Sequence, residues 1–270
     1  MTPRGGAVVA RWAHNPKVVG SSPAPATKQA GFSAGFFHIS IRVSLQTLET
    51  MIPLFEDNHI IVVYKEPGEI VQGDKTGDKP LSETIKEYLK EKYNKPGNVF
   101  CGVVHRLDRP VGGVVIFAKT SKALTRLNEM LRKGEIHKTY WALVEGAPER
   151  PEAELTNWLQ SDGRLNKTRI VKPDAPDAKE SRLRYRTIAR GDRYTILEVN
   201  LLTGRKHQIR AQLSGIGNPI KGDLKYGARR SNPDGSISLL AKKIEFIHPV
   251  SKEPISIEVE PTEEMKKILG

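Results

Sequence analysis

Apolar positions along this chain fall mostly into short β-branched runs separated by Gly, Pro and charged turns, with a few stretches of helical spacing between them. Glu56-Asp57-Asn58 reads as a turn, residues 59–64 as a strand, and Lys65-Glu66-Pro67-Gly68 as its stop. Residues 82–93 carry Ile85, Tyr88, Leu89 and Tyr93 at helical intervals, which predicts a helix with both tyrosines at its core boundary. Runs 98–104, holding Cys101, and 114–119 read as two strands around a charged turn. Leu124, Leu127, Met130 and Leu131 mark the buried stripe of a helix over 121–133, ended by Gly134. Strands follow at 136–146, 155–160, 168–171, 179–188 and 193–202. Thr203 is placed to cap a helix entered near Arg205, and the chain closes with a strand at 254–259 and a helix after Pro261. The pattern predicts an α+β fold: a mixed, largely antiparallel sheet with packed helices.

Composition narrows the class. The chain has 270 residues, 38% of them hydrophobic, enough for a core, and a net charge of +12. The first 50 residues hold five Lys/Arg and one acidic residue, so the remainder still carries +8. Such a balance points to a polyanionic partner. One cysteine excludes an internal disulfide and a multi-cysteine zinc site, in keeping with a reducing compartment. No metal-ligand set, P-loop or dinucleotide fingerprint is present, and no apolar run approaches the ~20 residues of a membrane span. Arg182, Arg184 and Arg186 alternate and share a strand face, which either lines a groove for nucleic-acid phosphates or is merely solvated.

Chemistry concentrates in Val104-His105-Arg106-Leu107-Asp108-Arg109-Pro110-Val111-Gly112-Gly113. Nearby guanidiniums favour the charged form of a carboxylate, which makes Asp108 a candidate nucleophile. Pro110 fixes φ, and the glycine pair permits an approach of backbone that a side chain would block. A generic turn of this composition is a surface salt bridge worth little; the full string is more specific. His105-Arg106-Leu107-Asp108, a glycine pair and a strand ending Ala118-Lys119 resemble the active-site motif of the RluA-type RNA pseudouridine synthases. Further blocks follow in that family's order. They are an opening strand to Gly68, Lys138-x-Tyr140-x-Ala142-x-Val144-x-Gly146, Thr203-Gly204-Arg205-Lys206-His207-Gln208-Ile209-Arg210, Pro219-Ile220-x-Gly222-Asp223-x-x-Tyr226-Gly227, and a terminal block ending Phe246-Ile247-His248-Pro249. Val111-Gly112 stand where the family usually has Thr-Ser, and Leu240 replaces a histidine.

The resemblance implies isomerisation of selected uridines in rRNA or tRNA to pseudouridine, without cofactor or metal. It implies Asp108 as catalytic carboxylate, Arg210 as its pairing arginine and Tyr140 as the residue stacked on the base. His105, Arg106, Arg205 and His207 are the expected RNA-binding residues, with Arg106 filling the stack left by an extruded uridine. A soluble cytoplasmic monomer that binds RNA and no membrane is expected. Two other classes stand beside this: an RNA-binding protein that keeps the fold without chemistry, and a carboxylate-dependent glycosidase, for which no motif supplies the second carboxylate. Residues 51–270 are expected to form the catalytic domain, without an S4-type module. Residues 1–50 are expected to be an unstructured leader. They read either as a transit peptide or, preferably, as a mis-assigned start ahead of Met51, since Val19-Gly20-Ser21-Ser22-Pro23 is what the T-arm of a tRNA gene gives when read as codons.

Overall fold

The computed structural model describes residues 37–41, as backbone, and 53–270. In chain order the strands are β1 (Phe37–Ile41), β2 (Pro53–Glu56), β3 (Ile60–Lys65), β4 (Gly102–Val103), β5 (Gly112–Ala118), β6 (His137–Glu145), β7 (Glu152–Asp162), β8 (Lys167–Val171), β9 (Lys179–Arg190), β10 (Tyr194–Leu201), β11 (Leu239–Ile247) and β12 (Pro254–Val259). The helices are α1 (Leu81–Lys92), α2 (Ser121–Lys133), α3 (Gln208–Gly215) and α4 (Glu263–Leu269). One sheet runs β2-β3-β5-β11-β6-β10-β9-β7-β8, with β12 beside β11 and β1 beside β12. Pairings are antiparallel except β5–β11 and β1–β12. The expected α+β class and largely antiparallel sheet are what is observed.

Alternation along the strands divides the core between the two faces of the sheet. Ile61, Val63, Val115, Phe117, Tyr140 and Ala142 pack with Leu81, Ile85 and Leu89 of α1 and Ile209 and Leu213 of α3. Ile60, Val62, Val114, Ile116 and Leu143 pack with Ala123 and Leu127 of α2 and Met265 of α4. Every residue of β5 is buried, so both of its faces are covered. Helix α2 begins where Thr120 Oγ1 accepts from the Ala123 amide at 3.1 Å, a cap worth about 1 kcal/mol, and ends at Gly134 with φ +74°.

Several local expectations differ. Glu56, expected to open a turn, ends the strand Pro53–Glu56. The predicted strand over 98–104 shrinks to Gly102–Val103, leaving Cys101 half-buried outside it, its thiol pushed up to about 12 by burial. Of the proposed leader, Phe37–Ile41 is a strand, parallel to β12 with Phe37 opposite Ile255; the rest, and the choice of Met51 as start, lie outside the described residues. Among the described residues no helix is long and apolar enough to cross a membrane.

Gly113 meets its expectation closely. Its φ is +126°, and a Cβ there would lie 2.4 Å from the Ala241 carbonyl oxygen. That close approach lets β5 pair with β11, with Gly113 opposite Ala241, at the base of the charged turn.

Candidate active site

The turn carrying Asp108 is clamped from beneath by a lysine. Lys65, at the end of β3, is fully buried. Its ammonium donates to the carbonyls of Glu66 (2.9 Å), Arg109 (3.1 Å) and Val111 (2.7 Å). All three of its donors are thereby used. Burial pulls its pKa down to about 8, against the attraction of Glu69, Asp108 and Glu66. Val111 N–H donates to Asp108 O at 3.0 Å and Ile237 N–H to Pro110 O at 3.0 Å. Arg109 turns away from Asp108 and ties the turn to the preceding loop, donating to Asp78 at 2.6 Å and to Thr76 at 2.7 Å.

Arg210 arrives from α3, about a hundred residues later. Its Nη1 donates to Asp108 Oδ2 at 3.2 Å. Its Nε and Nη2 donate in parallel to Asp223, at 2.6 and 2.8 Å. Asp223 and Arg210 are both buried, whereas Asp108 is partly open to solvent. Burial works against the Arg210 charge, but the two carboxylates more than offset it and raise its pKa. The bidentate grip leaves the guanidinium little freedom of rotation, so Nη1 is held facing Asp108. The guanidinium also lies over the Tyr226 ring, 4.9 Å from its centroid.

Helix α3 begins later than the sequence suggests. Thr203 does not cap it. Its hydroxyl accepts from Arg182 N–H on β9 at 2.8 Å and donates to Gln208 Oε1 at 2.9 Å. The residue before the helix is His207, in the left-handed region at φ 52°. This turn brings the imidazole inward, with Nε2 3.6 Å from Asp108 Oδ2. That distance is too long for a hydrogen bond. Tyr226 OH accepts from Thr168 N–H at 2.8 Å and shares a hydrogen bond with His207 Nδ1 at 2.9 Å. Burial holds His207 down to about 4, outweighing the opposing pull of Asp108. His105 is likewise pushed down to about 3, by burial first and then by Lys138. Its Nε2 accepts from Ile116 N–H at 3.1 Å, and its buried Nδ1 has no partner. Both histidines are neutral at neutral pH.

Asp108, Arg210 and His207 form one side of a pocket whose apolar walls are Leu107, Val111, Tyr140, Leu201, Ile209 and Leu239. Tyr140, on β6, is buried, and burial together with the Asp108 charge raises its pKa, so it offers a neutral phenol. Arg106 and Arg205 line the same pocket and are exposed. All of the expected site residues are thus gathered at this pocket except His105, which supports β5 from behind the turn. Reading the sequence missed the clamp functions of Lys65, Asp223 and Tyr226. A lysine at a strand end reads as solvated, and only the family's block order drew attention to Asp223 and Tyr226.

The three alternating arginines are not part of the pocket. They share an exposed face of β9, as expected, but each faces a glutamate: Arg182 with Glu180, Arg184 with Glu154 and Arg186 with Glu198, at 3.2, 2.8 and 2.7 Å. The groove reading therefore lacks the net charge it needs. Among the described residues no group of three or more His, Cys, Asp or Glu is placed to hold a metal ion.

The family model described as RNA pseudouridylate synthase matches residues 59–215. Ribosomal large subunit pseudouridine synthase D of Xanthomonas campestris is 30% identical over 255 residues, covering 86% of this chain and 74% of the relative. Ribosomal large subunit pseudouridine synthase C of Buchnera aphidicola is 32% identical over 227 residues, covering 81% and 70%. Human RNA pseudouridylate synthase domain containing 4 shares the fold with a TM-score of 0.66 at 20% identity, over 80% of this chain and 91% of that one. A match over more than half the chain, and relatives aligned across most of their length, carry the assignment: this chain belongs to the RluA-type RNA pseudouridine synthases.

Proposed function

We propose that the substrate is a uridine of large-subunit ribosomal RNA, that the pocket described above receives its base, and that Asp108 is the catalytic carboxylate. The reaction breaks the N1–C1′ bond, turns the uracil and joins C5 to C1′. C5 loses a proton and N1 gains one, so nothing is oxidised and no co-reactant is consumed. Each route to this rearrangement brings a carboxylate to the junction of sugar and base, by attack at C1′, attack on the ring, or removal of a C2′ proton.

The observation that carries the proposal is the 3.2 Å contact between Arg210 and Asp108 at the side of a pocket whose other walls include Leu107, Val111, Tyr140 and Leu239. Arg210 orients the carboxylate and stabilises its charge, while Tyr140 supplies a flat apolar wall on which a uracil ring stacks. Arg106, at the exposed rim without any ion pair among the described residues, is positioned to fill the space left when the nucleotide swings out. His207, neutral and 3.6 Å from the carboxylate, shapes the site beside Asp108 rather than carrying a proton. The rRNA assignment follows what the relatives are named for; tRNA is the other substrate class this chemistry fits. An RNA-binding protein without chemistry is disfavoured by the pairing of Asp108 with Arg210, which binding alone does not require.

The test compares RNA from cells with and without the gene, mapping pseudouridines by carbodiimide labelling and primer extension, with Asp108→Ala as the control complement. One or a few large-subunit rRNA sites should vanish, return with the wild-type gene and stay absent with Asp108→Ala. Loss of tRNA sites instead would overturn the substrate assignment. Restoration by Asp108→Ala would remove Asp108 from the chemistry.

A further inference from the structure

Among the described residues Lys138 is a cation without a counter-charge. It lies on β6 two residues before Tyr140, and alternation places the two side chains on one face of the strand. That face is the pocket side, since Tyr140 and Ala142 pack with the core cluster that includes Leu107, Val111 and Ile209. Two residues of strand separate Lys138 from Tyr140 by about 7 Å, the order of distance between a nucleotide's base and its flanking phosphates. The ammonium itself reaches the exposed turn before α3: a Cβ added to Gly204 would lie 3.8 Å from Nζ. Arg205, next in sequence, lines the pocket.

The side chain is half-buried and makes no hydrogen bond or ion pair among the described residues. Burial lowers its pKa with no opposing carboxylate. The acidic groups of the site are committed elsewhere, Asp223 wholly and Asp108 in part to Arg210. A lysine whose stem merely covers apolar surface sends its head outward into water; this one directs its head toward the turn that lines the substrate pocket. Arg106 and Arg205 line the pocket, and Lys138 reaches the turn that carries Arg205.

We propose that Lys138 is a positioning residue whose ammonium holds a phosphodiester of the strand that carries the target uridine, fixing how deeply the base enters beside Tyr140. The proposal rests on the reading of the pocket as the uridine site. The neighbouring backbone turn, free of a side chain at Gly204, leaves room for a sugar–phosphate chain to pass within reach of Nζ.

The test uses the full chain and a synthetic RNA stem-loop bearing a uridine that the wild-type enzyme converts. Its variants carry a single neutral methylphosphonate at one of the linkages flanking that uridine. Conversion is followed by release of tritium from uracil C5 and affinity by fluorescence anisotropy. Lys138→Met should raise KM and Kd by about tenfold, leave kcat within about threefold, and lower the slope of log affinity against log salt by about one contact, 0.7 to 0.9. Lys138→Arg should restore most of the affinity. One methylphosphonate should cost the wild type a similar factor while leaving Lys138→Met unaffected. If every methylphosphonate penalises Lys138→Met as much as the wild type, or if Lys138→Met lowers kcat with KM unchanged, the phosphate contact is refuted. Should Lys138→Met not fold, as read from its melting curve, Lys138→Gln with the same RNAs decides. A wild type that converts no uridine in any RNA, or an active Asp108→Ala, refutes instead the reading of the pocket on which this rests.

Discussion

Replacing Asp223 by Asn tests the central claim that Arg210 is aimed by a buried carboxylate. The side chains are close to isosteric, so packing is preserved and the change is electrical. Two charge-assisted bonds, of 2.6 and 2.8 Å, lose their acceptor charge. The amide can still accept from one guanidinium N–H, but its NH2 then faces the other, donor against donor. Arg210 is about 5% exposed and Asp223 about 1%, so water does little to compensate. Breaking a buried pair by removing one partner costs about 3–5 kcal/mol. Urea unfolding should therefore show a midpoint lower by about 1–1.7 M, taking a slope near 3 kcal/mol/M for a chain of this size. Pseudouridine formation should fall by orders of magnitude, because the freed guanidinium no longer presents Nη1 to Asp108. The double variant Asp223→Asn with Arg210→Met should be less unstable than the two losses summed, with a coupling of about 1–3 kcal/mol. A loss under about 1 kcal/mol for Asp223→Asn, or strict additivity in the double variant, would refute the reasoning.

Three further outcomes follow from the same physical picture. Lys65 has a native pKa near 8 against 10.5 in the unfolded chain, so the unfolded state holds the extra proton between those values and wild-type stability should rise with pH across that window. Relative to Lys65→Met, the gain from pH 8 to pH 10.5 should be about 3 kcal/mol in urea melts; a constant difference would count against the buried ammonium. His207, neutral with a pKa near 4 against 6.5, predicts the same sign at lower pH: stability is lost as pH falls from 6.5 toward 4, and His207→Gln should flatten that loss in acid melts. Replacing Arg182, Arg184 and Arg186 together by Gln should leave the salt slope of RNA binding unchanged within one contact, because each arginine already faces a glutamate; a fall by two or more contacts would restore the groove reading.

How much of this was legible in the sequence depended on the range of the interaction. Asp108 and its turn were readable because Pro110 and the glycine pair impose local geometry, and the family string supplied Tyr140 and Arg210. The strand alternation of Arg182, Arg184 and Arg186 was readable as a face, but their neutralisation was not. Two of their partners, Glu154 and Glu198, lie on neighbouring strands and depend on register: Glu154 sits opposite Arg184, and Glu198 opposite Arg186. Thr203 had the chemistry of a cap and a plausible position. It was claimed instead by the backbone of β9 and the Gln208 side chain, while His207 took the left-handed conformation that begins the helix. Lys65 was illegible for the opposite reason, since nothing near it in sequence shows that three carbonyls from two segments converge on its ammonium.

The position of β11 has a consequence for how the protein comes into being. On one side of it stand β2, β3 and β5; on the other, β6, β10, β9, β7 and β8. Neither half pairs with the other except through Leu239–Ile247, which the ribosome makes after both. At about 5–20 residues per second, β5 and β6 wait several seconds as open edges, the kind of surface on which chains stick to one another. Asp108 belongs to the early half, Tyr140 and Arg210 to the late one. The nascent chain cannot bring Asp108 together with Tyr140 and Arg210 in one pocket until its central strand arrives, and its two waiting edges are where it is most open to association with other chains.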